Sequence, residues 1–163
     1  LDVPDFGRQG LSISSIILSS RLEPINQKAN GVKKLASFSG GPNAVSTLPD
    51  LLVIDGNRLV PSIAKVFSSS DHLYIFFQLY MNPASKSAPD LSASLAFYKN
   101  GQLFRQAGKL ELDQFDEGSK DTITCHLELP LSQFSKGDYA LQVGVADPSN
   151  KDNLQEKVQF AVR

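Results

Sequence analysis

Cys125 and His126 are adjacent in the chain, and a cysteine beside a histidine is the pairing that enzymes use to make a thiolate nucleophile. The pair lies within residues 123–129, where apolar residues alternate as they do in a β-strand. Adjacent side chains of a strand point to opposite faces, so this thiol and this imidazole cannot share a proton. Cys125 is in phase with Ile123 and Leu127, which predicts a buried and inert thiol.

Two further groups of side chains have metal-binding or acid–base chemistry. His72 and His126 could meet across two strands of one sheet, but no third ligand type stands at the spacing of a metal site. Carboxylates also cluster between residues 111 and 121, and their spacing fits no Ca²⁺ loop. They are Glu111, Asp113, Asp116, Glu117 and Asp121. We interpret them as solvated loop charge, with an enzyme built from them as the least favoured alternative. The sequence therefore predicts no catalytic residue, no metal and no cofactor.

The segment from His72 to Tyr80 is the clearest strand of the chain because apolar residues occupy every second position. Its other face carries three aromatic residues, Tyr74, Phe76 and Tyr80. Such a face fits a stacking platform for sugars or bases, and it also fits a central strand that a long connection covers. The sequence favours the covered strand and keeps the platform as the alternative.

Short strands with turn signals between them account for most of the chain after residue 50. Asp55-Gly56 and Asn100-Gly101 are hairpin turns, and the second is predicted to be of type I′. The two-residue period changes at Ser14-Ser15, which predicts a bulge or a switch of sheet. No segment has the period of a helix, so the pattern favours two packed antiparallel sheets. We predict an all-β, immunoglobulin- or fibronectin-like sandwich of about seven to nine strands.

Three regions depart from this regular pattern. Residues 20–50 are rich in Pro, Asn, Gly and Ser, which predicts a long loop or insertion. Residues 108–120 are acidic and irregular, and the strand before them is predicted only over Leu103–Arg105. Residues 1–10 suit a linker that leads into the domain, so we expect one β-sandwich domain over residues 11–163.

Gly137 and Tyr139 stand where a loop enters a strand. A tyrosine in this place can direct its hydroxyl to an upstream backbone carbonyl and fix a crossover between the sheets, as a tyrosine corner does. The position of Tyr139 also fits an ordinary core tyrosine, because tyrosine is common in strands.

Composition restricts the partners. The chain has 16 Lys and Arg against 17 Asp and Glu, a net charge of -1, and no basic cluster. Nucleic acids and anionic membrane surfaces are therefore not expected as partners. No apolar run approaches the roughly 20 residues that span a bilayer, so membrane insertion is not predicted. A single cysteine excludes an intrachain disulfide.

The order and spacing of several segments carry a family resemblance. They are Leu11–Ser19, Val60-Pro61-Ser62 with Phe67, Asp71–Tyr80, Phe97–Gly101, Leu127–Leu131, Gly137–Val143 and Val158–Val162. In this order they resemble the C-terminal region of bacterial proteins that carry a von Willebrand factor A-related domain, seen especially in Acidobacteria. The Asp-x-Ser-x-Ser signature of the A-type metal site is not present in these residues, so no metal role follows from the resemblance.

The resemblance implies an immunoglobulin-like or fibronectin-like accessory module of a larger exported protein, at the cell surface, in the periplasm or secreted. Its expected partners are other domains of the parent chain or another protein. The first hypothesis is thus a non-catalytic spacer or protein-interaction module. The alternative is a carbohydrate- or peptide-binding module that uses Tyr74, Phe76, Tyr80 or residues 20–50.

Overall fold

The chain forms β-strands throughout the part that a computed structural model describes, residues 11–25, 52–54, 56–81, 91–111, 122–147 and 152–163. The strands are β1 (Ser12–Ile13), β2 (Ile17–Ser19), β3 (Arg21–Pro24), β4 (Val53–Ile54), β5 (Asn57–Val60), β6 (Val66–Phe67), β7 (His72–Tyr80), β8 (Ser92–Lys99), β9 (Gln102–Glu111), β10 (Thr122–Pro130), β11 (Gly137–Asp147) and β12 (Asp152–Val162). A short 3₁₀ turn, Leu131–Gln133, joins β10 to β11. Among these residues, no helix is long and apolar enough to cross a bilayer.

Two sheets pack face to face. The small sheet has β7 at its centre, β10 on one side, and β1 followed by β2 on the other, all antiparallel to β7. The large sheet has the strand order β6-β12-β11-β8-β9, and β6 runs parallel to β12. Together they contain nine strand segments, four in the small sheet and five in the large one.

The inward faces of the two sheets meet in one apolar core. Leu73, Phe77 and Leu79 of β7 and Leu141 and Val143 of β11 are all 0% exposed. Each alternates with outward residues, which is the pattern of a sheet whose two faces have different surroundings. The all-β sandwich predicted from the sequence is therefore confirmed.

A third sheet, the covering sheet, lies on the outer face of the small sheet. It has the strand order β3-β5-β4, and its Ile54 and Leu59 pack against Phe76 of β7 in a second apolar cluster. The predicted insertion at residues 20–50 thus begins with strand β3, while residues 26–50 lie outside the described part of the chain.

The first edge of the small sheet is interrupted by a bulge. Between β1 and β2, residues 14–16 lie opposite only residues 77–78 of β7. The Ser14 hydroxyl accepts the backbone N–H of Gln78 at 2.9 Å, so a side chain replaces one bond of the ladder. The bulge predicted at the serine pair is confirmed.

Ser19 fixes the point where the chain leaves the small sheet for the covering sheet. Its side chain is fully buried at the end of β2. The hydroxyl accepts the backbone N–H of Arg21 at 2.9 Å, and its own hydrogen faces the carbonyls of Val60 at 2.5 Å and of Arg21 at 3.0 Å. A buried serine hydroxyl that both donates and accepts a hydrogen bond leaves no polar atom unsatisfied. It can therefore hold a sharp change of chain direction at little cost in free energy.

The hairpin turn between β8 and β9 has the predicted geometry, because Asn100 and Gly101 have φ angles of 51° and 79°. The returning strand is longer than predicted: β9 continues to Glu111, through residues expected to be irregular. Its pairing with β8 shifts register between Ala93 and Leu95 and again between Phe97 and Tyr98. These shifts break the two-residue period, which explains why the sequence pattern underestimates the strand.

Candidate functional site

The aromatic platform that the sequence left as the alternative on β7 is covered at its centre. Phe76, its central member, is only 2% exposed because Ile54 and Leu59 of the covering sheet pack on it. Phe76 is therefore unavailable to a ligand, and the interpretation as a covered central strand describes this position. Tyr74 and Tyr80 lie on the same face and are partly buried.

Tyr74 and Tyr80 each take part in a local polar network. The Glu128 carboxylate contacts His72 Nδ1. Burial, and then the charge of Glu128 and a hydrogen bond to it, raise the pKa of Tyr74. Tyr80 donates its hydroxyl hydrogen bond to Gln78 Oε1 at 2.9 Å. These networks engage the hydroxyls with neighbours on the face, so no continuous aromatic surface faces outward.

The thiol and imidazole at positions 125 and 126 point to opposite faces, as predicted. Cys125 pairs with Phe77, an inward residue, and His126 pairs with Phe76, an outward one. Cys125 is 0% exposed, and burial raises its pKa to about 12. The protonated thiol is a poor nucleophile, so this pair does not form a catalytic dyad.

The two histidines considered as possible metal ligands are not brought together in the described residues. His72 and His126 are four positions apart along β7 and β10, since His126 pairs with Phe76. Within the described ranges no group of three or more His, Cys, Asp or Glu side chains is placed to hold a metal ion. The carboxylate side chains predicted as loop charge, Glu111, Asp113, Asp116, Glu117 and Asp121, lie outside the side chains that the structure describes.

Tyr139 makes the hydrogen bond that a tyrosine corner requires. Its hydroxyl donates to the Ser135 carbonyl, four residues upstream, at 2.7 Å. Gly137 has a φ of 151°, and a Cβ added there would lie 2.7 Å from Cε of Lys99. Lys99 in turn donates to the Ser135 hydroxyl at 2.6 Å. The corner is a structural device that fixes the start of β11 against the β8–β9 hairpin.

The outer face of the large sheet has a different character from that of the small sheet. Its residues lie in rows across three strands, β8, β11 and β12. The rows are Tyr98–Ala140–Gln159, Ala96–Gln142–Lys157, Ser94–Gly144–Gln155 and Ser92–Ala146–Asn153. In these rows β8 and β11 thus carry mostly Ala, Ser and Gly, whereas β12 carries a polar side chain in every row.

The contrast between longer side chains on β12 and mostly short ones on β8 and β11 leaves two shallow depressions on the outer face of the large sheet. We call this outer face the open face. The first has a volume of about 630 Å³ and is lined by Tyr98, Ala140 and Gln159, among others. The second, of about 340 Å³, is lined by Ser94, Gly144 and others at the far end of the same strands. The two depressions lie in line along the strand direction, on either side of the row Ala96–Gln142–Lys157, and we call this line of depressions the groove.

The floor of the groove is set by close contact between strands. A Cβ added to Gly144 would lie 2.9 Å from the hydroxyl oxygen of Ser94, which donates to the Gly144 carbonyl at 3.4 Å. A larger residue at position 144 would therefore fill the floor and displace Ser94. Small residues keep the groove open at this row.

The first depression has an aromatic wall and both kinds of hydrogen-bonding group. Lys157 Nζ lies 5.3 Å from the centroid of the Tyr98 ring, a cation–π contact. Asp138, on the same rim, receives a hydrogen bond of 2.5 Å from Arg163 Nη2. Amide side chains such as Gln159 both donate and accept. The arrangement suits a ligand with many hydroxyl groups and a flat apolar surface.

The open face was not identified from the sequence. The signal was present in β11, where outward positions carry Ala140, Gln142, Gly144 and Ala146. Small outward residues are ordinary on any exposed sheet, so they draw attention only once their neighbours across the sheet are known.

The comparisons with known proteins assign no family to the chain. No protein-family model matches the chain, and no curated protein matches it. Among solved structures, the chain is similar to a family 123 glycoside hydrolase from Clostridium perfringens, described in a study of glycolipid glycan hydrolysis. The identity is 13% and the TM-score 0.45, over 94% of this chain and 27% of that one. A likeness at this level supports no statement about function.

The chain thus spans about a quarter of the length of that solved structure. The exported location, the immunoglobulin-like topology and the relation to von Willebrand factor A-related proteins stay predictions from the sequence.

Proposed function

We propose that this chain is a non-catalytic binding module whose site is the open face and whose ligand is a neutral glycan chain. The observation that carries the proposal is the groove itself, in which an aromatic ring and a line of amide side chains border a floor of small residues. Ligand sites in proteins commonly combine apolar surface with a few polar groups that fix orientation.

Amide side chains line both depressions, and Lys157 holds its ammonium over the Tyr98 ring, so the amides favour an uncharged ligand. Gln142, Gln155 and Gln159 carry no charge and offer a donor and an acceptor each. The acidic group on the rim, Asp138, is paired with Arg163. Sugar hydroxyls both donate and accept, so they complement such amides without removing a charge from water.

The shape of the groove favours a chain of sugars over a peptide. The rows of Tyr98 and Ser94 are four residues apart along β8, a distance of about 14 Å in a strand. That length exceeds a single sugar ring and suits a linear oligomer. The floor is made of Ala, Ser and Gly on either side of Gln142, so it has no deep apolar pocket to receive the side chains of a peptide.

Binding should depend on both the aromatic wall and the open floor. The test is a glycan array of neutral oligosaccharides, followed by calorimetric titration of the glycan that binds. Tyr98→Ala removes the wall, and Ala140→Gln places a long side chain on the floor. Each change is expected to weaken binding by about tenfold or more, equivalent to about 1.4 kcal/mol.

Tyr80→Ala is the matched control, because it removes a tyrosine from the outer face of the small sheet. We expect its affinity to stay within about twofold of the unaltered protein. The proposal is wrong if no neutral glycan binds, or if Tyr80→Ala weakens binding as much as Tyr98→Ala does.

A further inference from the structure

The first depression of the groove lies where β8 and β12 end and β11 begins. Lys99, the last residue of β8, pairs with Tyr139, so Asp138 of β11 lies just beyond the last pair of these two strands. On its other side Asp138 pairs with Ala161 of β12. Asp138 and Ala161 thus form the last outward row of β11 and β12, and the turn Asn100-Gly101 lines the same depression.

Ala161 is covered although it faces outward. Its neighbours along β12, Phe160 and Val162, belong to the core, so the side chain of Ala161 points to the open face. It is only 8% exposed, whereas the preceding outward residues of β12 are exposed. Ala64 and Lys65, which lie between β5 and β6, line the depression beside it. We call residues 61–65 the end segment, because they shield the last row of the groove.

Hydrogen bonds hold the end segment in place. Ser62 donates its backbone N–H to the Leu18 carbonyl at 2.8 Å, and Ala161 donates its own to the Lys65 carbonyl at 2.9 Å. The Ser62 hydroxyl accepts the N–H of Lys65 at 3.1 Å. Lys65 has a φ of 51°, which residues other than glycine rarely adopt and keep only where their surroundings fix it. The end segment is therefore a fixed boundary of the groove.

An ion pair lies beside the end segment. Arg163, which follows β12, donates from Nη2 to Asp138 Oδ1 at 2.5 Å, so the pair joins the end of β12 to the start of β11. The Asp138 side chain is 77% exposed and lines the depression, which makes it accessible to a ligand. A carboxylate has about four acceptor positions, so Asp138 can accept a further hydrogen bond besides that from Arg163.

From this geometry we infer that the first depression receives the end of a neutral glycan chain, and that Asp138 recognises the terminal sugar. The inference rests on the proposed function, because it concerns the same groove. A chain that lay flat in the groove and continued past this row would meet the end segment and the ion pair. The terminal sugar has no such continuation. It carries a free hydroxyl in place of a linkage, and this hydroxyl can donate to the Asp138 carboxylate.

The first test compares chain ends with chain interiors. The probes are soluble linear hexasaccharides of glucose, mannose and xylose, each beside a polymer of the same linkage and about tenfold greater length. At equal sugar concentration the polymer offers about tenfold fewer ends, so we expect about tenfold weaker binding per sugar in calorimetric titration. Equal affinity per sugar would overturn the assignment to a chain end and leave the proposed function standing. No binding by any probe would contradict both.

A matched pair of variants tests the role of Asp138. Asp138→Asn removes the negative charge and keeps the size of the side chain, and we expect the hexasaccharide to bind about tenfold more weakly. Glu23→Gln is the control, because Glu23 is also an exposed carboxylate paired with an arginine, Arg21, at 2.6 Å. Its affinity should stay within about twofold of the unaltered protein. Equal effects of the two changes would contradict recognition by Asp138.

Two modified hexasaccharides give a reading that needs no variant and show which end is bound. One is the methyl glycoside, which blocks the reducing end, and the other has a methyl ether on the hydroxyl from which the chain would extend at the non-reducing end. We expect one of them to bind about tenfold more weakly than the free hexasaccharide, because the methyl group removes the donor and adds bulk next to the end segment. Undiminished binding of both would refute the assignment.

Discussion

The outward residues of both sheets alternate with inward ones, but one outer face of the sandwich is covered and the other is open. On the small sheet, the outward residue Phe76 is 2% exposed beneath the covering sheet. On the large sheet, the outward residue Gln142 lies beside Lys157, in the row between the two depressions, and no sheet covers it in the described residues. Phe76 stands near the middle of β7 and Gln142 near the middle of β11, and each strand is central in its sheet.

The difference shows how outward residue types distinguish a covered face from an open one. An aromatic residue at a central outward position exposes much apolar surface unless another element covers it. Small and amide residues have no such requirement and leave the face available. In this molecule the aromatic face contributes to stability, and we propose that the open face binds the ligand.

The largest effect is expected when the covered face is broken. Phe76→Ala should lower the free energy of unfolding by about 3–5 kcal/mol, because it leaves a cavity between the small sheet and the covering sheet. Denaturant unfolding followed by circular dichroism measures it. Phe77→Ala, on the inward face of the same strand, should cost a similar amount.

Gln142→Ala is the matched change on the open face, at the centre of β11. It should alter the free energy of unfolding by no more than about 0.5 kcal/mol, as surface changes generally do. Similar losses for Phe76→Ala and Gln142→Ala would remove the distinction between the two faces.

The inward side of the small sheet should give an intermediate, pH-dependent effect through Cys125. Burial raises its pKa to about 12, whereas an unfolded thiol ionises near about 8.5. Above that pH the unfolded chain loses the proton first, so stability falls as pH rises. The thiol's contribution to the free energy of unfolding is complete below about pH 8.5. Above that pH it decreases by about 1.4 kcal/mol per pH unit.

The measurement is unfolding at several pH values between about 7 and 10.5. Cys125→Ala is the control, since it keeps every other group that titrates in this range. Parallel slopes for the two proteins would show that the thiol is not buried in the folded state as described.

A small loss of stability is expected at the tyrosine corner, which supports the end of the open face. Tyr139→Phe removes the hydroxyl that donates to the Ser135 carbonyl and should cost about 1 kcal/mol. Chemical denaturation measures the loss. No change in the denaturation midpoint would mean that the corner bond adds nothing to stability.

The sequence predicted those parts of the fold that depend on local periods. The alternation in His72–Tyr80, the Asn100-Gly101 turn and the bulge at Ser14-Ser15 can each be read within a few residues. The length of β9 could not be read, because two register shifts with β8 disturb its period.

The site depended on contacts between distant segments, which a single sequence does not show. Phe76 was one of three candidates for an aromatic platform, and only the packing of Leu59 from another sheet shows that it is covered. The groove is formed by residues of β8, β11 and β12. Taken singly, most of them are ordinary small or polar surface residues. Their common role follows from register across the sheet.

The most direct test of glycan binding at the open face is to map a bound neutral oligosaccharide onto the isotopically labelled protein by NMR chemical-shift perturbation. We expect the shifted backbone amides to cluster on the open face, around Gln142, Gly144 and Tyr98. Shifts that cluster around Tyr74 and Tyr80 on β7, or no shifts with any neutral glycan, would contradict it.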